Sequence, residues 1–158
     1  RQHLTFIGRM LLLPKDTIRS RIDELLHLLG LQNDEKKLTL EYSHGMKKKL
    51  ALAAALLPNP DLLFLDEPFE GVDAVTSRVI RDMLAGFVNR GSTVFMTSHV
   101  LAVVERLCTH VGIIANGTLV EQASLDDIRQ GSSLEQRFLE RVGADEEAAQ
   151  KLSWLEES

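Results

Sequence analysis

The stretch that decides the fold is Leu62–Pro68, which reads LLFLDEP. Four apolar residues precede the acids Asp66 and Glu67, and the proline ends the run because it lacks the backbone donor that a central strand needs. A short apolar run without polar alternation is typical of a strand covered on both faces of a parallel sheet. The sequence therefore predicts a strand that delivers two carboxylates to its carboxyl end.

The chain after this strand alternates short apolar runs with stretches of helical periodicity. Such alternation predicts an α/β fold, in which helices cover both faces of a parallel sheet. Asn116 and Gly117 predict a two-residue hairpin turn, so we expect the sheet to end in a small antiparallel pair. The expected elements are helix 76–88, strand 93–96, helix 100–107, strand 111–115, a helix capped by Ser124, a helix over 134–142 and an acidic tail.

The chain before Leu62 has only helical patterns. Apolar residues recur at helical spacing in Leu4–Leu13 and Ile18–Leu29, Pro14 separates the two helices, and a third is expected over Ser43–Leu57. We therefore expect three parts: helices at 1–57, the sheet at 58–123, and helices with the acidic tail at 124–158.

Composition excludes several classes of function. The 158 residues carry 18 Lys and Arg against 23 Asp and Glu, a net charge of −5 that argues against bulk binding to nucleic acid. The longest apolar run, Leu50–Leu57, has eight residues, far fewer than the roughly 20 that cross a bilayer. The single cysteine, Cys108, and the lack of a Cys/His cluster at ligand spacing predict a reducing, cytosolic setting without a zinc site.

Two strand ends carry candidate chemistry. Asp66 is suited to hold Mg²⁺ through its waters, and Glu67 is suited to polarise a water for attack on a phosphoryl group. His99 follows the next predicted strand and can hydrogen-bond a phosphate oxygen. The alternatives are an acidic turn after a buried strand and an ordinary solvated histidine.

A helix start supplies a third candidate group, because Ser43–Met46 is followed by the basic run Lys47–Lys49. Free backbone N–H groups at a helix N-terminus bind anions, Ser43 adds a hydroxyl donor, and Gly45 leaves room for close approach. Cations in a first helical turn oppose the helix dipole, and a nearby polyanion would remove that penalty. A solvated basic face on a capped helix is the open alternative.

In this order and spacing, the motifs resemble those of the ATPase subunits of ABC (ATP-binding cassette) transporters, from the first residue to at least Val142. Tyr42–Met46 resembles the signature motif, Leu62–Glu67 the Walker B strand, Glu70–Asp73 the D-loop and His99 the switch histidine. The resemblance implies a P-loop NTPase-like parallel sheet preceded by the family's helical subdomain.

The resemblance also implies roles for single residues. Asp66 would serve Mg²⁺, Glu67 would be the general base, and His99 would contact the γ-phosphate of ATP.

The remaining roles involve a second subunit. Ser43, His44 and Gly45 would form the signature that contacts ATP held by the opposite subunit of a head-to-tail dimer, and Asp73 would communicate between the two sites. His44 stands where glycine is usual, and Met46 stands where glutamine is usual.

The family's phosphate loop, G-x-x-x-x-G-K-[ST], does not occur in the 158 residues, and neither does its glutamine loop. We therefore expect the chain to be the C-terminal portion of such an ATPase, incomplete at its N-terminus and inactive alone. The stretch Ser132–Glu140 resembles the ending of the family's exporter branch.

The resemblance implies a parent protein that hydrolyses ATP to power export or translocation through a membrane-spanning permease. It would lie at the inner face of the membrane, touch the membrane only through the permease and bind no nucleic acid. Two alternatives stay open: a non-catalytic interaction module that supplies the signature motif in trans, and a fragment of a soluble ABC ATPase outside transport.

Overall fold

The computed structural model describes residues 1–143, which belong to two compact units, residues 1–99 and residues from 100 onward. The predicted acidic tail lies outside the described residues. The first unit contains α1 (Gln2–Met10), α2 (Lys15–Leu28), α3 (His44–Leu56), β1 (Leu62–Asp66), α4 (Ala74–Asn89) and β2 (Thr93–Thr97), with two short 3-10 helices between α2 and α3. The second unit contains α5 (Leu101–Leu107), β3 (His110–Ala115), β4 (Thr118–Ser124), α6 (Leu125–Gly131) and α7 (Leu134–Val142).

Local signals place the helix boundaries in the first unit. Pro14 stands at the N-cap of α2, where its missing N–H costs nothing, and Gly30 adopts a positive φ of 66° just after the helix. Ser43 caps α3 by accepting a hydrogen bond from the Met46 N–H at 3.3 Å. The three expected N-terminal helices are therefore confirmed, with α1 ending three residues earlier than predicted.

One apolar core runs through the first unit and joins its helices to its sheet. Leu26 of α2, Leu57 after α3 and Ile80 of α4 are each almost fully buried in it, and Leu63 of β1 belongs to the same cluster. This grouping does not test the three-part division drawn from the sequence, which stays a prediction.

The strands β1 and β2 are parallel, in a register that sets Leu62 beside Thr93 and Asp66 beside Thr97. Leu63 packs into the core, whereas Phe64 and Phe95 point to the opposite, exposed face, with ring centroids 5.6 Å apart. The predicted mixed α/β class with parallel strands is confirmed. Within the first unit, the described residues cover one face of this strand pair and leave the other exposed.

The second unit contains the predicted hairpin. Asn116 and Gly117 both adopt positive φ, 50° and 75°, as a tight two-residue turn requires, and β3 pairs with β4 in the antiparallel sense. The prediction that this pair ends the parallel sheet is wrong for the described residues, where the two strand pairs are separate sheets. The tight turn fixes only the pairing of β3 with β4, because the joining of a hairpin to further strands depends on tertiary packing rather than on the local sequence.

Within residues 1–143, no helix combines the length and the apolar character that crossing a bilayer would require.

Two leucines of α2 provide a test of the core. Leu26 is 1% exposed and Leu28 is 48% exposed. We expect Leu26→Ala to lower the free energy of unfolding by about 2–5 kcal/mol, because it leaves a cavity, and Leu28→Ala to change it by less than about 0.5 kcal/mol. Urea unfolding followed by circular dichroism measures both. Equal losses would contradict the described packing of α2.

Candidate functional site

The carboxyl ends of β1 and β2 bring the candidate catalytic residues together. The Thr97 hydroxyl donates to Oδ1 of Asp66 at 2.5 Å, and Nδ1 of His99 lies 2.8 Å from Oε1 of Glu67. Parallel pairing of Asp66 with Thr97 puts both strand ends at one edge, where ligands collect in α/β sheets. The structure therefore places Asp66, Glu67 and His99 at one site, and their catalytic roles stay predictions.

Two residues that the sequence analysis missed contact Glu67. The Thr97 Oγ1 accepts a hydrogen bond from the Glu67 N–H at 3.1 Å, and Nζ of Lys48 donates to the Glu67 carbonyl oxygen at 3.2 Å. Lys48 belongs to α3, whereas Thr97 ends β2, so three separate elements meet at Glu67. A threonine at a strand end and a lysine in a basic run carry no distinctive sequence signal.

The contact with Glu67 changes the proton affinity of His99. The hydrogen bond to the Glu67 carboxylate, and then the carboxylate's charge, raise the pKa of His99 above its usual value of 6.5. A raised pKa in the folded state means that the contact stabilises the fold fully below pH 6.5. That contribution is lost as the pH rises through the folded-state pKa.

The start of α3 lies against the turn that follows β1. A Cβ atom at Gly45 would lie 3.0 Å from the carbonyl oxygen of Gly71, and one at Gly71 would lie 3.4 Å from Cδ2 of His44. Gly71 also has a positive φ of 68°, which favours glycine. The structure thus brings the predicted signature residues next to the predicted D-loop turn of the same chain.

Two of the three lysines in α3 pair with acids of this turn. Nζ of Lys48 lies 2.7 Å from Oε2 of Glu70, and Nζ of Lys49 lies 3.6 Å from Oδ2 of Asp73. The Lys48 and Lys49 side chains are only 22% and 17% exposed. The sequence left two alternatives open for these lysines, an external polyanion and a solvated basic face. Neither included the acids of the same chain that Lys48 and Lys49 contact. The hydrogen bond from Lys48 lowers the pKa of Glu70.

Asp73 caps α4. Its Oδ1 accepts from the Thr76 N–H at 2.9 Å, and its Oδ2 accepts from the Thr76 hydroxyl at 2.7 Å. These bonds, the backbone bond first, lower the pKa of Asp73 from 3.8 to about 2. Because the folded-state pKa is depressed, the cap stabilises the fold above pH 3.8 and is lost as the pH falls towards 2. The communicating role inferred from the resemblance stays a prediction.

The sheet edge offers one carboxylate oxygen for a metal ion. Among the described residues, no group of three or more His, Cys, Asp and Glu side chains is arranged to hold an ion. Mg²⁺ needs fewer, since it keeps several waters and takes one or two carboxylates plus phosphate oxygens. Oδ1 of Asp66 is occupied by Thr97, and Oδ2 accepts no hydrogen bond from residues 1–143. Asp66 can therefore supply one such carboxylate.

The start of α3 fits an anion. The Ser43 oxygen already accepts the Met46 N–H, and a serine hydroxyl has one hydrogen to donate as well. No acceptor for that hydrogen lies within the described part of the chain. Ser43 can therefore donate to a phosphate oxygen without losing its capping bond.

Comparison with known proteins shows which family the chain belongs to. Residues 1–70 match the ABC transporter family. The chain is 41% identical over 113 residues to the bacitracin transport ATP-binding protein of Bacillus licheniformis, a match that covers 71% of this chain and 37% of that protein. The chain belongs to the ABC transporter ATP-binding family.

Two further matches define the extent of this family likeness. The methionine import ATP-binding protein of Escherichia coli O157:H7 is 35% identical over 130 residues, covering 80% of this chain and 38% of that protein. A solved structure of an ATP-binding subunit of an ABC transporter superimposes with a TM-score of 0.83 at 28% identity, covering 88% of this chain and 60% of that one. This ABC family chain thus spans less than two fifths of the length of these two relatives.

The contact between Glu67 and His99 can be tested by titration. We expect NMR titration of the His99 ring to give a pKa above 6.5, and Glu67→Gln to lower that pKa because the neutral amide removes the favourable charge. Glu24→Gln on α2 is the control with the same change of charge. An unchanged His99 titration in Glu67→Gln would show that the two side chains do not interact in solution.

The close approach of α3 to the turn can be tested with two glycines. Gly45→Ala places a methyl group 3.0 Å from a backbone oxygen, whereas Gly86, inside α4, has no atom within 4 Å of its added Cβ. We expect Gly45→Ala to destabilise the fold by about 1–3 kcal/mol through overpacking. Gly86→Ala should stabilise the fold by about 0.5–1 kcal/mol through helix propensity. Stabilisation by both substitutions in thermal unfolding would contradict the described contact.

Proposed function

We propose that the chain is part of an ABC ATPase that binds and hydrolyses ATP with Mg²⁺ and powers transport through a membrane permease. The observation that carries this proposal is the meeting of Asp66, Glu67 and His99 at the carboxyl edge of a parallel strand pair. These side chains provide a metal ligand, a base and a polar contact for phosphate within one site.

Each residue at this edge has a definite chemical task in the proposal. The Asp66 carboxylate would hold a magnesium ion, which would supply positive charge to the phosphate groups. Glu67 orients a water and accepts its proton at the carboxylate. His99 holds Oε1 of Glu67 and leaves Oε2, which accepts no hydrogen bond from the described residues, open to that water.

The start of α3 is proposed to contact ATP held by a second subunit. Ser43 and Gly45 offer a hydroxyl hydrogen and close backbone access to the phosphates of ATP held by a second subunit in a head-to-tail dimer, and His44 lies beside them. Asp73 joins the two sites in this arrangement, because it caps α4 while its Oδ2 pairs with Lys49 of α3.

The proposed partners follow from the family. The helical part at residues 1–57 meets the permease, and the protein lies at the cytoplasmic face of the membrane without crossing it. Export is favoured by the likeness of Ser132–Glu140 to the exporter branch, although the relatives include a protein named for methionine import. The transported substrate is set by the permease rather than by these residues.

A second candidate function is a module that supplies the signature motif in trans. It is favoured by the hydroxyl hydrogen of Ser43, which no residue of 1–143 accepts, and by the lack of a phosphate-loop motif in these 158 residues. In this case Ser43–Met46 would complete the ATP site of a full-length subunit, while Asp66 and Glu67 would be unused.

Turnover by the purified chain tests whether these 158 residues contain a complete catalytic site. We expect it to hydrolyse Mg·ATP only at the background rate, because it contains no phosphate-loop lysine. Robust turnover that is lost in Glu67→Gln would overturn this expectation and locate a complete site within the chain.

Binding is tested by adding Mg·ATP to the labelled chain and, separately, by mixing the chain with a full-length ABC ATP-binding subunit. We expect the amide resonances of Ser43–Met46 to shift and the partner's ATPase rate to rise, and Ser43→Arg to abolish both effects. Ser133→Arg, at the N-cap of α7, is the matched control. If Mg·ATP shifts no resonance and the partner's rate is unchanged, the proposed ATP contact is wrong.

A further inference from the structure

Glu67 has an unfavourable backbone conformation. Its φ is 44°, in the left-handed region that side chains other than glycine rarely adopt, and it immediately precedes Pro68, which restricts it further. A residue keeps such a conformation only where the surrounding structure fixes it. Two hydrogen bonds, one from the N–H group and one to the carbonyl group of Glu67, hold its backbone in place.

The Thr97 hydroxyl fixes the N-terminal side of Glu67. An ionised carboxylate is only an acceptor, so the single hydroxyl hydrogen of Thr97 must point to Asp66, at 2.5 Å. A lone pair of the same oxygen is then free to accept the Glu67 N–H, at 3.1 Å. One hydroxyl thus joins the side chain of the first acid to the backbone of the second.

The Lys48 ammonium fixes the C-terminal side. Its Nζ donates to the Glu67 carbonyl oxygen at 3.2 Å and to Oε2 of Glu70 at 2.7 Å. A hydrogen bond from a charged donor is stronger than a neutral one. Lys48 belongs to the helix that Ser43 caps, so this bond connects the start of α3 directly to Glu67.

We propose that Thr97 and Lys48 are positioning residues that hold Glu67 in its left-handed conformation and so direct its carboxylate to His99. This inference rests on the proposed role of Glu67 as the base, because positioning matters for the reaction only if Glu67 acts in it. Lys48 also links Glu67 to the start of α3, where Ser43 is proposed to bind phosphate.

The threonine is tested by three substitutions in the full 158-residue chain. Thr97→Val keeps the branched shape but loses both hydrogen bonds, Thr97→Ser keeps the hydroxyl, and Thr93→Val makes the same change at the other end of β2. We expect Thr97→Val to make exchange of the Glu67 amide proton at least about threefold faster, because the substitution removes the hydrogen bond that this N–H donates to Thr97. Thr97→Ser and Thr93→Val should leave that exchange rate unchanged.

The lysine is tested by Lys48→Met against Lys47→Met, which removes the same charge from the neighbouring position. Lys47 is exposed, and its side chain has no hydrogen-bond or ion-pair partner within residues 1–143. We expect Lys48→Met alone to shift the Glu67 carbonyl and α-carbon resonances away from left-handed values. The same variant should also move the His99 ring resonances towards those of Glu67→Gln.

The outcomes separate this inference from the proposed function. If Thr97→Val and Lys48→Met stay folded but leave the Glu67 and His99 resonances at wild-type values, the positioning role is wrong. If Thr97→Val does not fold, a rapidly exchanging Glu67 amide in the wild type or in Thr97→Ser would equally overturn it. Neither result depends on ATP turnover, so failure of the hydrolysis or mixing experiments leaves this test intact.

Discussion

The pairing of Asp66 with Thr97 at the ends of two parallel strands is the constraint on which the candidate site depends. It places a hydroxyl beside a carboxylate, and the same hydroxyl receives the backbone N–H of Glu67. Because the ends of β1 and β2 are fixed beside each other, Glu67, which follows β1, and His99, which follows β2, come into contact. A shift of one residue in this register would turn the Thr97 side chain to the other face of the sheet and separate these groups.

The charged side chains around this edge pair with one another within the chain. Lys48 and Lys49 in the first turns of α3 oppose the helix dipole, yet each pairs with an acid of the turn that follows β1. The close approach of Gly45 to Gly71 brings the two segments near enough for these pairs to form. A basic run that reads as a surface for an external anion is therefore largely engaged within the chain.

The sequence predicts the elements better than it predicts their contacts. Apolar runs, Pro14 and the Asn116–Gly117 turn act locally, so the helices, the strands and the hairpin could be predicted from them. The predicted single sheet failed because strand pairing beyond a hairpin depends on tertiary packing. Thr97 and Lys48 escaped notice for a related reason: their importance comes from partners about 30 and 19 residues away, and neither residue type is distinctive in its place.

The contact between Glu67 and His99 bears on the proposed role of Glu67 as the base. Nδ1 of His99 contacts only one of the two carboxylate oxygens of Glu67, Oε1. Oε2 accepts no hydrogen bond from the described residues and is the oxygen that can take a proton. Were Glu67 in an extended conformation, its carboxylate would leave the strand end in another direction and the contact with His99 would be lost. The left-handed backbone of Glu67 thus sets the direction in which its carboxylate leaves the strand end, towards His99.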